Sequence, residues 1–357
     1  MQAGEAIKLL AQPKSKLSHM PSHSRIALVQ PSSVREEERD DIRRITECVS
    51  EGPASFSFRL TTDPNSADLV ILLEANIFYG RDKIPYYSEL PWVAASNRLC
   101  VVNYEDRPAG FLPGMYTSLH ARNFDPQLHV SWPALRYYNA MLEKEAVRVA
   151  NEEPCTSDDE WLYSFVGSAG NAARRAILEA PGHSACRGNV VEIRRWYDHS
   201  DDEKQRYVAV LSSSSFVLCP RGVAAYSHRI LEALALGKVP VVIADDWVPF
   251  SIPADDYYIR IREADAARVP EILRSDYAAS AATLKASASA VYRKYVDVRT
   301  RYKLAFERLL QLQTDHLQEL TRDDLVRRWR SSKFWRANGW AMDQRLLRRC
   351  QSMFYGR

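Results

Sequence analysis

No Cys-x-x-Cys pair occurs in this 357-residue chain, and its six cysteines (Cys48, Cys100, Cys155, Cys186, Cys219, Cys350) follow no regular spacing. That pattern argues against a disulfide framework or a zinc site and fits buried thiols in a reducing compartment. Long apolar runs are also missing. Nothing approaches the roughly eighteen uninterrupted apolar residues of a membrane span, and the run Ile7 to Ala11 is broken by Lys8, too short and polar for a secretory signal. The expected location is cytoplasmic, with a peripheral contact at the inner membrane face left open. Charge of one sign is absent too: 48 Lys and Arg against 45 Asp and Glu leave a net charge of +3. Such a balance supplies no basic field for nucleic acid, so an anionic ligand must be held by a local site. Neither a GxGxxG nor a GxxxxGK[ST] loop is present, and no internal repeat recurs at a fixed period.

What is present describes a globular protein, with 46% hydrophobic and 26% charged residues. The length suits two domains of roughly 150 residues each. Residues 1–23, rich in Ser, Lys, Pro and His, read as a loose leader. Arg25 to Gln30, Phe56 to Leu60, Ala67 to Glu74 and Arg98 to Tyr104 read as strands, with helices at Glu36 to Val49 and Tyr86 to Ala95. This alternation predicts an α/β domain over 24–150. Gly110 to Trp132, with its prolines and aromatics, is expected to be an irregular insertion or long loop. The charged stretch Glu143 to Asp159, containing Pro154, is expected to hold the linker. A second α/β series over 160–278 has strands at Trp161 to Gly167, Asn189 to Arg194, Phe216 to Cys219 and Val239 to Ala244. Its helices are expected at Ala172 to Glu179, Glu203 to Leu211 and Ser227 to Leu236. A helical segment, 279–357, closes the chain.

The informative run is SSFVLCPRGVAAYSHRILEALALGKVPVVIADDWVPF, residues 214–250. A strand ends at Cys219, Pro220-Arg221-Gly222 turns the chain, and a helix opens near Ser227. A helix start presents unpaired N–H groups and a positive dipole end to an anion. Ser227 can cap that helix, Arg221 and Arg229 can neutralise a diphosphate, and Glu232, on the face of Arg229, can accept from ribose hydroxyls. The plainer alternative makes Arg229 and Glu232 a surface ion pair and Ser227 an ordinary cap. Gly237 ends the helix by permitting a left-handed turn.

This segment resembles the exostosin family of glycosyltransferases. The matching residues are Phe216 to Gly222, then Ser227, Arg229, Ile230, Glu232, Ala233 and Gly237. They continue through Pro240 to Ile243, Asp245, Asp246 and Pro249-Phe250. A weaker echo is Tyr163 to Ser168 with Arg174 and Arg175 after it. The resemblance implies a GT-B fold: two facing Rossmann-like domains with C-terminal helices, the first for acceptor and the second for a nucleotide-sugar donor. It implies inverting transfer to a glycan or lipid-linked acceptor, in the making of a surface polysaccharide or glycolipid. The donor would meet Gly167, Ser168, Arg174, Arg221, Gly222, Ser227, His228, Arg229 and Glu232. The family's usual Gly-Cys before the Pro-Val strand is Gly237-Lys238 here, and no N-terminal anchor is evident, so a compact bacterial-like member is expected.

Stabilising the departing nucleoside diphosphate falls to Arg221 and Arg229 in this reading, with no metal or other cofactor required. Asp245-Asp246 looks superficially like a metal motif, but a turn or an acceptor contact is the commoner role of such a loop. An inverting transfer also needs a general base. Asp106 is the first candidate, ahead of Glu74 and Glu105, because it ends a strand beside Arg107-Pro108. The loop Gly167 to Asn171 can approach a sugar or phosphate closely, or be only a tight strand-to-helix turn. The tail, with Arg327-Arg328-Trp329-Arg330 and Phe334-Trp335-Arg336, can rest on anionic lipid or pack its tryptophans into the core. Two rivals stay open: a GT-B-like partner subunit without turnover, and a fucosyltransferase-like enzyme. The oligomeric state is unspecified.

Overall fold

The computed structural model describes residues 24–30, 43, 45–49, 57–74, 97–134, 140–151, 159–193 and 200–339. The expected leader, the helix at 86–95 and most of the helix at 36–49 lie outside the described residues. The described residues divide into two compact units, one formed by those within 24–132 together with 305–339 and the other by those within 133–304.

The first unit is built on a six-stranded sheet of β1 (Ser24–Val29), β2 (Phe58–Thr61), β3 (Leu69–Glu74), β4 (Leu99–Asn103), β5 (Gly114–Tyr116) and β6 (His129–Ser131). Their order is β2-β1-β3-β4-β5-β6, and every pairing is parallel. Central parallel strands are covered on both faces, which is why Leu69 to Leu73 of β3 and Leu99 to Val102 of β4 read as unbroken apolar runs and are buried. Helices Arg322–Trp329 and Ser332–Ala337 bring Trp329, Phe334 and Trp335 into one cluster with Val70, Leu72, Val101 and Phe111. Each indole finds an acceptor: Trp329 Nε1 donates to the Phe111 carbonyl at 2.7 Å, and Trp335 Nε1 to the Trp329 carbonyl at 2.7 Å. Trp329, Phe334 and Trp335 are therefore spent on packing. Among the described residues no helix is long and apolar enough to cross a membrane.

Three expectations change here. The stretch 110–132 is not an irregular insertion but carries β5 and β6. Strands of three residues are too short to show alternation, and Gly114, at φ +146°, would place a Cβ 2.1 Å from the Val101 carbonyl oxygen. The expected linker begins with helix α1 (Ala140–Asn151), whose Leu142 and Ala146, one turn apart, are fully buried. The C-terminal helical segment is divided at Leu304, its last part belonging with the first sheet.

The second unit holds a five-stranded parallel sheet of β7 (Trp161–Gly167), β8 (Gly188–Glu192), β9 (Ser214–Pro220), β10 (Val239–Ile243) and β11 (Ile259–Arg260), in the order β11-β10-β9-β7-β8. Helices α2 (Ala172–Glu179), α3 (Asp201–Ser212) and α4 (Arg229–Ala235) fall within a few residues of their expected places. Asn171 caps α2, and a Ser200–Glu203 capping box opens α3. Lys238, at the position of the family's cysteine, pairs with Asp159 at 2.7 Å, and Lys285 reaches its other oxygen at 2.8 Å. The two lysines fix the chain where it enters β7.

Candidate functional site

In the second unit the strand before β9 in space is β7, while the strand after β7 in sequence lies on its far side. Connections therefore leave β7 and β9 in opposite directions, and the crevice at their carboxyl ends is where doubly wound folds take ligands. Two loops border it, 167–171 after β7 and 221–228 after β9. Asn171 ties them together. Its Oδ1 accepts from the Arg174 amide at 3.0 Å, and its Nδ2 donates to the Arg221 carbonyl at 2.7 Å.

Three arginines converge on these loops. Arg174, from α2, is 7% exposed and donates through Nε to the Arg221 carbonyl at 2.9 Å. Arg229, the first residue of α4, donates from Nη2 to the Val166 carbonyl and lies 5.1 Å from the Phe165 ring centroid. Gly167 makes room for it, since a Cβ there would sit 2.6 Å from Arg229 Nη2. The glycine expected to admit a sugar thus has a reason inside the protein. Arg221 donates through Nε to both oxygens of Glu263 at 2.8 Å.

Among the described residues Glu263 is the one carboxylate paired with this cluster, and neither Arg174 nor Arg229 has an acidic partner within ion-pair distance. Burial, then the like charges of Arg229 and Arg221, push the Arg174 guanidinium down to about 10. A buried cation without a counter-ion is costly to keep. Glu232 lies part-buried on α4 and accepts a hydrogen bond from the Tyr207 hydroxyl. Burial raises its carboxyl above the ordinary value, against the opposing pull of Arg229 and Tyr207.

The arrangement corrects several expectations. Ser227 does not cap the helix. His228 is already helical (φ −55°, ψ −25°), so the seven-residue α4 begins at Arg229 and Ser227 lies one residue too far back. The Ser227 Oγ is buried without a hydrogen-bond partner. Arg229 and Glu232 do not form a surface ion pair either, because Arg229 turns to β7 and Glu232 to Tyr207. His228 is exposed, its ring edge-on to Tyr226 at 5.3 Å. Ser168 lies part-exposed in the first loop, and the Gly222 carbonyl accepts from Asn171 at 3.4 Å. Asp245 closes the loop after β10: its Oδ1 accepts from the Glu263 amide at 3.1 Å and its own amide donates to Glu263 Oε1 at 3.2 Å. Asp246 is part-buried beside it. Among the described residues no three acidic, His or Cys groups are gathered as a metal site would need.

The expected base candidates belong to the first unit. Glu74 ends β3, and its side chain lies outside the described residues. Glu105 is buried, its amide donating to Asn103 Oδ1 at 3.0 Å. Asp106 is exposed, and partial desolvation lifts its carboxyl against the pull of Arg107. Sequence reasoning missed three residues of the arginine site. Asn171 carried a local signal, an Asn three residues before Arg174 at a helix start. Tyr207 and Glu263 carried none, since each reaches its partner across 25 or 42 residues of chain.

Fold and site together define a parallel α/β protein with a cationic crevice at the switch point of one sheet. The chain belongs to the exostosin GT47 family: the Exostosin GT47 domain model matches residues 98–275, reaching from β4 through the whole second sheet. The Exostosin-1 homolog of Caenorhabditis elegans is 29% identical over 221 residues, covering 54% of this chain and 57% of that protein. The probable glucuronosyltransferase GUT1 of Oryza sativa subsp. japonica is 40% identical over 82 residues, covering 22% of this chain and 20% of that protein. The chain thus spans little more than half the length of the first relative and a fifth of the second. Among solved structures, an α1,3-fucosyltransferase with GDP-fucose superposes at a TM-score of 0.41 and 15% identity, covering 88% of this chain and 96% of that one. At that score it carries no residue correspondence.

Proposed function

We propose that the protein is an inverting glycosyltransferase that moves a sugar from a nucleoside-diphosphate sugar to a glycan or lipid-linked acceptor, in the building of a surface polysaccharide. The observation that carries this reading is Arg174, buried beside Arg229 and Arg221 and, among the described residues, without an acidic partner. A diphosphate supplies the missing counter-charge through charge-assisted hydrogen bonds, and those bonds strengthen as the nucleoside diphosphate departs. Glu232 keeps one oxygen for ribose hydroxyls. Charge neutralisation by arginine makes a metal unnecessary, and Asp245 is already committed to the Glu263 amide. Asp106 is the proposed base, its raised carboxyl suited to taking the acceptor proton, with Glu105 and Glu74 behind it.

The test is turnover of a panel of nucleotide sugars, followed by release of nucleoside diphosphate with and without chelator. A uridine diphosphate glucuronic acid donor is tried first, since one relative is named a probable glucuronosyltransferase. Asp106→Asn should lower kcat by about 10²–10⁴-fold while leaving donor binding intact. The product anomer should be inverted. Donor binding without turnover would favour a partner subunit; a retained anomer would exclude the inverting mechanism.

A further inference from the structure

We infer that Tyr207 is a positioning residue that keeps Arg229 and Glu232 from neutralising each other, so that both charges stay available to a ligand. The inference rests on the donor-site reading above. Residues three apart on a helix are neighbours, and an arginine with a glutamate at that spacing ordinarily pairs. Here they do not. Arg229 Nη2 is bound to the Val166 carbonyl, but its Nε is buried without a hydrogen-bond partner. Within the protein, Arg229 is therefore open to a carboxylate turning towards it. What holds Glu232 away is the Tyr207 hydroxyl, donated to its Oε2 from α3 on a different part of the sheet face.

The device is well built for this. Helix α3 is fixed at its start by the Ser200–Glu203 capping box and along its length by buried Val208 and Leu211, which set the height of Tyr207. Burial and the Glu232 carboxylate push the Tyr207 hydroxyl well above the phenol range, so it stays a protonated donor. A neutral donor satisfies the carboxylate without cancelling its charge. Arg229 keeps its charge for phosphate, while Glu232 keeps its charge and a second oxygen for a sugar hydroxyl.

The test uses inorganic pyrophosphate, which meets the arginines and offers no ribose. Its affinity is measured by calorimetry on the full chain for the wild type, Tyr207→Phe, and Tyr207→Phe with Glu232→Gln. In Tyr207→Phe, Glu232 turns to Arg229, and pyrophosphate affinity falls by about tenfold. The double variant, with no carboxylate left to pair, recovers wild-type affinity. Recovery is the decisive result, because a tyrosine needed only for packing would not be rescued by removing a charge elsewhere. Unchanged affinity in Tyr207→Phe, or a loss that persists in the double variant, overturns the inference and leaves the donor site standing. Wild-type protein that binds neither pyrophosphate nor uridine, guanosine or adenosine diphosphate overturns both.

Discussion

Arg174 and Arg328 are both cations drawn out of water, one in each unit, and they are treated in opposite ways. Burial lowers the pKa of each. Arg328 then finds what a structural arginine needs: the Gly110 and Phe111 carbonyls, the Phe334 ring at 4.8 Å, and the acidic influence of Asp125. Among the described residues, Arg174 has one carbonyl, at Arg221, and no carboxylate; the like charges of Arg229 and Arg221 oppose it, and only the Tyr207 hydroxyl acts in its favour. The first arginine completes a fold; the second is left incomplete, as the proposed diphosphate site requires. Burial alone does not separate them. The groups around each guanidinium do.

Substitution should separate the pair most sharply in stability. Arg328→Ala strands two backbone carbonyls and uncovers the Phe334 ring, and is expected to cost about 3 kcal/mol in denaturant unfolding, with diphosphate affinity unchanged. Arg174→Ala should do the reverse. It relieves repulsion among like charges, so unfolding should shift by less than about 1 kcal/mol, while nucleoside diphosphate affinity falls by about 2 kcal/mol. If both substitutions behave alike, the contrast is false.

A smaller effect follows from His129, which lies against Arg328. It is buried, its Nδ1 accepts from the Asp125 amide at 3.0 Å, and burial with the Arg328 charge holds its pKa well below the ordinary value. The unfolded chain therefore binds more protons than the folded one below about pH 6.5, and stability must fall as pH drops through that range, by at most about 1.4 kcal/mol per unit. Melting curves between pH 7.5 and 5.5 should show this slope in the wild type, and His129→Phe should flatten it. The smallest expected effect is at Asp245→Asn, which keeps an acceptor for the Glu263 amide and should change donor binding by less than about 0.5 kcal/mol.

The legible parts of the molecule were those whose signals are local. The strands β3, β7, β9 and β10 are apolar runs, and α2 spans its expected residues because Asn171 caps it where the sequence says a helix should start. The run from Ser214 to Phe250 brought Arg221, Arg229 and Glu232 into view because it holds a strand, a turn and a helix in one stretch. What escaped was decided at long range. β5 exists only through pairing with β4, and β6 through pairing with β5, while Leu142 and Ala146 were masked by the charged residues around them. Glu263 and Tyr207 become site residues only when the sheet brings distant loops together, and the failure of Ser227 as a cap turned on a single residue of helix phase.

The most direct test of the account is the melting curve of wild type and Arg174→Ala with and without nucleoside diphosphate. At one hundred times the wild-type dissociation constant, the ligand should stabilise the wild type by about 2.7 kcal/mol and Arg174→Ala, with its weaker binding, by no more than about 1 kcal/mol at the same concentration. An equal shift in both proteins would show that the buried arginine is not waiting for a diphosphate, and would contradict the account at its centre.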